Sequence, residues 1–257
     1  MNNNELKLFL NKKVDQYNQP FFIAADPISI PHKFIQQQDI EIAGFFAAIL
    51  AWGNRKSVLN SCNTLMQLMD NQPYQFCLHH SKKELQALEQ FKHRTFNATD
   101  LLYCIAFFKQ HFTKYPSLEI AFTQWMNKKD ETVENGLIGF HHYFFSLQDF
   151  PERTRKHIAS PQKKSACKRL NMYLRWMVRS NETSVDFGLW KQIKSSQLII
   201  PIDVHVSRVA KKLGILTTTQ NDWQAATELT TYLKKLDSKD PVKYDFALFG
   251  LGVMEKF

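Results

Sequence analysis

The sequence predicts an all-α fold, and three observations support that prediction. The 257 residues include only 8 glycines and 9 prolines, which is few for the many turns of a β-rich fold. No segment alternates apolar and polar residues for long enough to indicate a strand. Several segments instead place apolar residues three or four positions apart, as amphipathic helices do. The length suits one large domain or two small lobes.

The first half of the chain is predicted to contain a polar helix, a buried helix and several amphipathic helices. Residues 4–18 form the polar helix. The run 41–52 is apolar nearly all round, which indicates a buried helix, and Asp39 is placed to cap it. Ser81 and Glu84 have the spacing of a capping box at the start of a further helix. The other helices are expected over 55–70, over 101–108 with Asp100 as cap, over 117–126 and over 131–147.

The helices of the second half are marked by polar caps and glycine stops. Ser165 precedes a helix that runs to Arg179 and has an apolar face and a basic stripe. Asp203 is placed to cap a helix that ends at Gly214. The remaining helices are expected from Asn221 or Asp222 to about 236, and from Val242 to about 253, where Gly250 and Gly252 permit close backbone approach.

The net charge of +9 is concentrated in one segment. Between Pro151 and Ser180 there are nine basic residues and a single acidic residue, Glu152, so this segment alone carries +8. Such a concentration indicates an anionic partner, with nucleic acid first and an anionic membrane surface second. A basic helix face that contacts only water is the alternative.

Several classes of protein are disfavoured. The longest apolar run, from Ile42 to Gly53, has 12 residues, whereas a bilayer span needs about 20. The first residues lack a basic segment followed by an apolar stretch, so no signal peptide is expected. The four cysteines form no CxxC or CxxxC pair, so neither a zinc site nor an iron–sulfur cluster is expected. We expect a cytoplasmic protein, associated with the nucleoid, that uses no metal and no cofactor.

Lys168 and Asp203 are the residues whose types best suit chemistry. A neutral lysine attacks an electrophilic sugar or carbonyl carbon, and nearby cations such as Arg169 favour the neutral amine. A carboxylate stabilises the cationic transition state of glycosidic cleavage. Both residues also have plainer interpretations, because a lysine in a first helical turn is commonly a surface residue and an aspartate before a helix is commonly a cap.

Two strings resemble the helix-hairpin-helix DNA glycosylase superfamily. Ile202-Asp-Val-His-Val-Ser-Arg208 is similar to the segment Asp-x-His-x-x-Arg that carries the catalytic aspartate. Lys168-Arg-Leu-Asn-Met-Tyr-Leu-Arg-Trp-Met177 resembles the lysine-led hairpin helix of the archaeal 8-oxoguanine DNA glycosylases. The separation of 35 residues between Lys168 and Asp203 is also closest to that branch. The whole chain resembles a bacterial family of this superfamily that shares the strings Asn54-Arg55-Lys56, Phe91-Lys-His-Arg-Thr-Phe96 and 169–179.

The resemblance implies a fold and an activity. The fold would be one compact unit over 1–257, helix-hairpin-helix DNA glycosylase-like, with two helical lobes and a central cleft. One lobe would cover about 40–147, and the other about 1–39 with 150–257, including the hairpin region 150–180. The activity would be excision of a damaged purine, such as 8-oxoguanine, from double-stranded DNA by a monomer, with accompanying AP lyase activity. Lys168 would be the Schiff-base nucleophile and Asp203 would stabilise the sugar cation.

The remaining site residues implied by the resemblance are basic or aromatic. Phosphate contacts are expected from Lys163, Lys164, Arg169, Arg175, Arg179, His205 and Arg208. Stacking on an extruded base is expected from Trp52, Trp176, Phe246 or Phe249. The superfamily hairpin holds a phosphate with a Gly-x-Gly turn, whereas 159–165 contains no glycine. Two alternatives remain open: a DNA-binding or lesion-sensing module without catalysis, and an enzyme acting on a small phosphorylated or nucleoside ligand.

Overall fold

The computed structural model describes residues 1–180 and 182–257, and nearly all of its regular structure is helical. The α-helices are α1 Asn3–Tyr17, α2 Phe21–Ala25, α3 Gln37–Ile49, α4 Arg55–Leu68, α5 Pro73–His79, α6 Lys82–Ala87, α7 Ala98–Lys114, α8 Glu119–Thr123, α9 Glu134–Phe144, α10 Lys168–Val178, α11 Val204–Lys212, α12 Trp223–Leu236 and α13 Tyr244–Val253. Short 3₁₀ turns lie at Pro27–Ser29, Pro31–Lys33, Glu152–His157, Pro161–Lys163, Ser195–Gln197 and Pro241–Lys243. The predicted all-α class is confirmed.

The sequence prediction missed one small hairpin. Strands β1 (Lys92–His93) and β2 (Phe96–Asn97) pair antiparallel, with Lys92 opposite Asn97 and His93 opposite Phe96. Two residues per strand are too few to produce a detectable apolar–polar alternation.

The chain forms two compact units. Unit 1 comprises Met1–Ala24, Asn127–Asn135 and Ser160–Phe257. Unit 2 comprises Ala25–Met126 and Gly136–Ala159. The chain passes between them several times, so neither unit is one continuous stretch of sequence.

In unit 1 the apolar helix α13 is central, and both α1 and α11 pack against it. Its glycines allow this close packing. A Cβ at Gly250 would overlap the ring of Tyr17 on α1, and a Cβ at Gly252 would lie 3.0 Å from the Cβ of His205 on α11. The close approach predicted for these two glycines is confirmed.

In unit 2 the core is largely aromatic. Phe45 of α3 contacts Phe108 of α7 edge to face, with ring centroids 5.3 Å apart. Phe140 of α9 stacks on Phe122 of α8 at 4.2 Å. Such pairs contribute about 0.5–1.5 kcal/mol each beyond the apolar area that they bury. Helix α3 is buried along almost its whole length, as its apolar sequence predicts.

Most predicted helix caps are confirmed. Ser81 and Glu84 form the predicted capping box, and Gly214 follows α11 in the left-handed region with φ +73°. Asp203 accepts backbone N–H bonds at the start of α11, and Asp222 does the same for α12.

Two predicted caps are wrong. Asp39 lies inside the first turn of α3, where its carboxylate accepts the N–H of Tyr74 at 2.8 Å. Asn97, three residues before Asp100, caps α7, and the Asp100 carboxylate accepts the Asn97 N–H to complete a capping box. Within the described residues, no helix combines the length and the apolar character that crossing a membrane requires.

Candidate active site

Lys168 is the first residue of α10, at the end of a turn without glycine. The turn contains the 3₁₀ segment Pro161–Lys163, and two of its residues adopt left-handed conformations, Lys164 at φ +58° and Cys167 at φ +49°. Its backbone is fixed to the start of α12, because the carbonyl of Lys164 accepts the N–H of Trp223 at 3.1 Å. The left-handed conformation is sterically unfavourable for residues other than glycine, so packing around the turn must stabilise it at these two positions.

The Lys168 side chain is half-buried and makes no salt bridge with any described residue. Its Nζ lies 3.6 Å from the Sδ of Met172, one turn along α10. A lysine without a carboxylate partner keeps its amino group available for another molecule. This arrangement fits a nucleophilic amine better than a structural ion pair.

Asp203 performs its capping role with one oxygen only. Its Oδ1 accepts the N–H groups of His205 at 2.8 Å and of Val206 at 3.0 Å. No described residue donates a hydrogen bond to its Oδ2, and the side chain is half-buried. The cap therefore orients the carboxylate while leaving one oxygen for a ligand.

A third ionisable residue, Asp245 in the first turn of α13, lies within electrostatic range of both Lys168 and Asp203. Its pKa is raised to about 6, chiefly by burial and also by the negative charge of Asp203, while the positive charges of Arg175 and Lys168 act in the opposite direction. Lys168 and Asp203, both in unit 1, therefore each influence the charge of Asp245. We call these three residues the Lys168 cluster.

Arg175 and Arg179 do not reach solvent, and the phosphate contacts predicted for them are wrong. Both are nearly fully buried. Arg175 pairs with Asp245, and its Nε lies 3.2 Å from Asp186; Arg179 pairs with Asp186 at 3.1 Å and with Asp240 at 2.8 Å. A buried guanidinium requires such partners because it cannot be left uncompensated in the interior.

Phe246 and Trp176 are also interior residues, so the predicted base stacking is wrong for both. Neither has measurable exposure. The guanidinium carbons of Arg175 and Arg179 lie 4.4 and 5.4 Å from the centroid of the Phe246 ring, which makes this ring part of the ion-pair network. Phe249, which is half-buried, packs edge to face against Phe22 at 6.1 Å. Trp52 belongs to unit 2 and is half-buried there.

The other predicted phosphate contacts differ in exposure. Lys163, Lys164 and Arg208 are exposed, whereas Arg169 and His205 are half-buried. Arg208 donates a hydrogen bond to the carbonyl of Gly252 at 2.7 Å, which ties α11 to the end of α13. Burial lowers the pKa of Arg169. Lys163 and Lys164 are therefore the predicted residues that most clearly project into solvent.

A sequence family described as "Protein of unknown function (DUF2400)" matches residues 26–254. The chain belongs to the DUF2400 family. No curated protein and no solved structure matches the chain. The region matched to DUF2400 contains all three residues of the Lys168 cluster and the buried ion pairs beside it.

In this DUF2400 chain, the sequence prediction missed Asp245 and the partners of the arginines, Asp186 and Asp240. The sequence did contain a signal for Asp245, which is an acidic residue within an otherwise apolar helix. Such a residue is rarely fully buried unless it is paired, so a buried partner could have been predicted. Within the described ranges, no group of three or more His, Cys, Asp or Glu side chains is arranged to hold a metal ion. The Lys168 cluster combines one amine with two carboxyl groups.

Proposed function

We propose that the protein is a DNA N-glycosylase with accompanying AP lyase activity, acting on a damaged purine such as 8-oxoguanine in duplex DNA. The observation that carries the proposal is the Lys168 cluster. Lys168 makes no salt bridge with a described residue, Asp203 keeps one oxygen free of hydrogen bonds from described residues, and both act electrostatically on Asp245. The resemblance of 165–210 to the helix-hairpin-helix glycosylases supports the same assignment.

The proposed reaction begins with extrusion of the damaged nucleotide from the duplex, at a cost of a few kcal/mol. The bond between C1′ and the base then breaks, and its electrons leave with the base, which takes up a proton. Asp203 stabilises the developing positive charge on the sugar. The neutral amine of Lys168 bonds to C1′ and, after loss of protons and opening of the sugar ring, forms a Schiff base. Abstraction of a proton from C2′ then expels the 3′ phosphate and cleaves the strand.

Exposed cations on the turn before α10 would contribute the electrostatic part of DNA binding. Lys163 and Lys164 project into solvent next to Lys168 in the sequence. Each phosphate that they neutralise releases a counterion, so this binding would weaken as salt is added.

Borohydride trapping tests the proposal. The full chain is incubated with duplexes that contain either an abasic site or 8-oxoguanine, and the covalent adduct is measured. We expect an adduct with the wild type, none with Lys168→Gln, and an unchanged yield with Lys82→Gln, which removes the same charge from an exposed position of α6. Binding without base release or adduct would contradict catalysis and favour a lesion-sensing module. Neither binding nor adduct would favour an enzyme of small phosphorylated or nucleoside ligands.

Asp203→Asn separates the chemical role of this residue from its structural role. Asparagine caps helices as well as aspartate does, so α11 should remain intact. Removal of the charge should slow base release on the order of 100-fold, as does loss of other preorganised electrostatic groups. Single-turnover base release measures the effect, and circular dichroism checks the helix content. An unchanged rate would show that Asp203 is only a cap.

A further inference from the structure

Unit 2 has a basic surface that the Lys168 cluster does not include. The β1–β2 hairpin lies against α4 and the residues before it, because His93 Nδ1 is 2.9 Å from Ser61 Oγ and its Nε2 is 3.4 Å from the carbonyl of Trp52. His93 is buried, whereas its neighbours Lys92 and Arg94 are exposed. The hairpin thus presents two cations to solvent from an anchored backbone.

The Arg94 guanidinium lies over the ring of Trp52, the residue that precedes Gly53. Its guanidinium carbon is 4.9 Å from the centroid of the Trp52 ring. A Cβ at position 53 would overlap that guanidinium, so Gly53, at φ +97°, makes room for it. Arg94 itself has φ +54°, which is disfavoured for a residue with a side chain. The fold therefore keeps an unfavourable backbone conformation at the residue whose guanidinium contacts Trp52.

The exposed cations of unit 2 differ in whether a carboxylate pairs with them. Lys56, Lys92 and Arg94 are exposed, and none forms a salt bridge with a residue that the structure describes. Helix α4 has no acidic residue in its first turn, where cations are unfavourable. The start of α7 differs: there the carboxylate of Asp100 occupies the first turn, and the exposed Arg153 pairs with it.

We infer that Lys56, Lys92 and Arg94 form a second DNA-binding surface, which contacts the phosphodiester backbone of duplex DNA. Several separate cations, one of them in contact with an aromatic ring, suit a row of phosphates better than a single small anion. The identity of the polyanion as duplex DNA rests on the proposed function, whereas its negative charge is inferred from the surface itself.

Salt-dependent binding of an undamaged, fluorescein-labelled duplex tests the inference with the full chain. The variant is Lys92→Ala/Arg94→Ala. The matched control is Lys82→Ala/Lys83→Ala, which removes two exposed charges from α6 of the same unit. The slope of log affinity against log salt is negative, and each lost phosphate contact should reduce its magnitude by about 0.9. For this variant we therefore expect the magnitude of the slope to fall by about 2, and binding to be at least about 10-fold weaker. The control should match the wild type.

Further variants keep the result interpretable. Lys56→Ala should lower the same slope by about 1. Arg94→Lys retains the charge and should retain most of the slope, even if the stacking on Trp52 is lost. Thermal unfolding shows whether each variant is folded. Equal slopes for the Lys92/Arg94 variant and the control would overturn the inference. Tighter binding of single-stranded RNA, or of vesicles containing anionic lipid, than of the duplex would overturn the choice of partner.

The borohydride experiment tests the proposed function, and the duplex-binding experiment tests the second surface independently of it. If the wild type forms no borohydride adduct but its duplex binding depends on Lys92 and Arg94, the proposed function is wrong and the second surface stands. If trapping occurs and the Lys92→Ala/Arg94→Ala variant binds like the control, the second surface is wrong and the proposed function stands.

Discussion

The two ends of α10 carry similar charges in different surroundings. At its beginning, Lys168 is half-buried without an ionic partner, and the exposed Lys163 and Lys164 precede it. At its end, Arg175 and Arg179 are enclosed and paired with carboxylates. The basic segment therefore divides into a part that is available to a ligand and a part that is neutralised internally. A count of charges along a sequence does not distinguish the two.

The ion pairs at the end of α10 also connect to its beginning. Arg175 pairs with Asp245, which lies within electrostatic range of Lys168 and Asp203. The buried end of α10 therefore holds a carboxyl group within electrostatic range of Lys168. Mutations can test the two ends of the helix separately.

The largest effect is expected from Arg175→Met. Removal of the Arg175 guanidinium leaves the buried carboxylates of Asp186 and Asp245 with one cation fewer. Breaking such a buried ion pair commonly lowers the free energy of unfolding by about 3–5 kcal/mol. The free energy of unfolding in urea measures this loss. Lys163→Met removes the same charge from the exposed turn and should change stability by less than about 0.5 kcal/mol. Equal losses in the two variants would remove the distinction between the two ends of α10.

Asp245→Asn should have a smaller effect that depends on pH. Burial raises the pKa of Asp245 to about 6, so the folded state favours the protonated carboxyl. Its contribution to stability is fully present below about pH 4 and is lost as pH rises through 6. Asparagine mimics the protonated form at every pH. Between pH 4 and pH 8, the wild type should therefore lose about 2–3 kcal/mol relative to Asp245→Asn.

Urea unfolding at a series of pH values tests the Asp245 prediction. Asp15→Asn, which changes an exposed carboxylate of α1, is the matched control for loss of a charge. A constant difference between wild type and Asp245→Asn across this range would mean that Asp245 titrates as an ordinary surface carboxylate does.

The smallest effect on stability is expected from Lys163→Ala/Lys164→Ala. Both side chains are exposed, so the free energy of unfolding should change by less than about 0.5 kcal/mol. The salt dependence of duplex binding should nevertheless decrease by about 2 in slope, because each lysine would lose one phosphate contact. A large loss of stability with unchanged binding would assign these lysines a structural role like that of the arginines.

Local features of the fold could be predicted from the sequence. The cap at Asp203, the stop at Gly214 and the burial of α3 depend on residues a few positions apart, where sequence and structure are directly linked. The shift of the α7 cap from Asp100 to Asn97 shows the limit of this reasoning, because the two residues compete within one capping box.

The contents of the candidate site could be predicted only in part. Lys168 and Asp203 head helices, and their placement follows from local pattern. Burial of Arg175 depends on Asp186 and Asp245, which are 11 and 70 residues away. A basic stripe on an amphipathic helix looks the same whether it faces water or distant carboxylates. The burial of Arg175 and Arg179 and the role of Asp245 could be recognised only from the three-dimensional structure.

The turn before α10 has a consequence for how such sites are found by sequence comparison. Its left-handed positions are occupied by Lys164 and Cys167, although glycine is the residue that adopts this conformation without strain. A motif search that requires glycine at the left-handed positions of a turn would therefore not detect this one. Turns built like it would be found by their backbone angles and by the lysine that follows them.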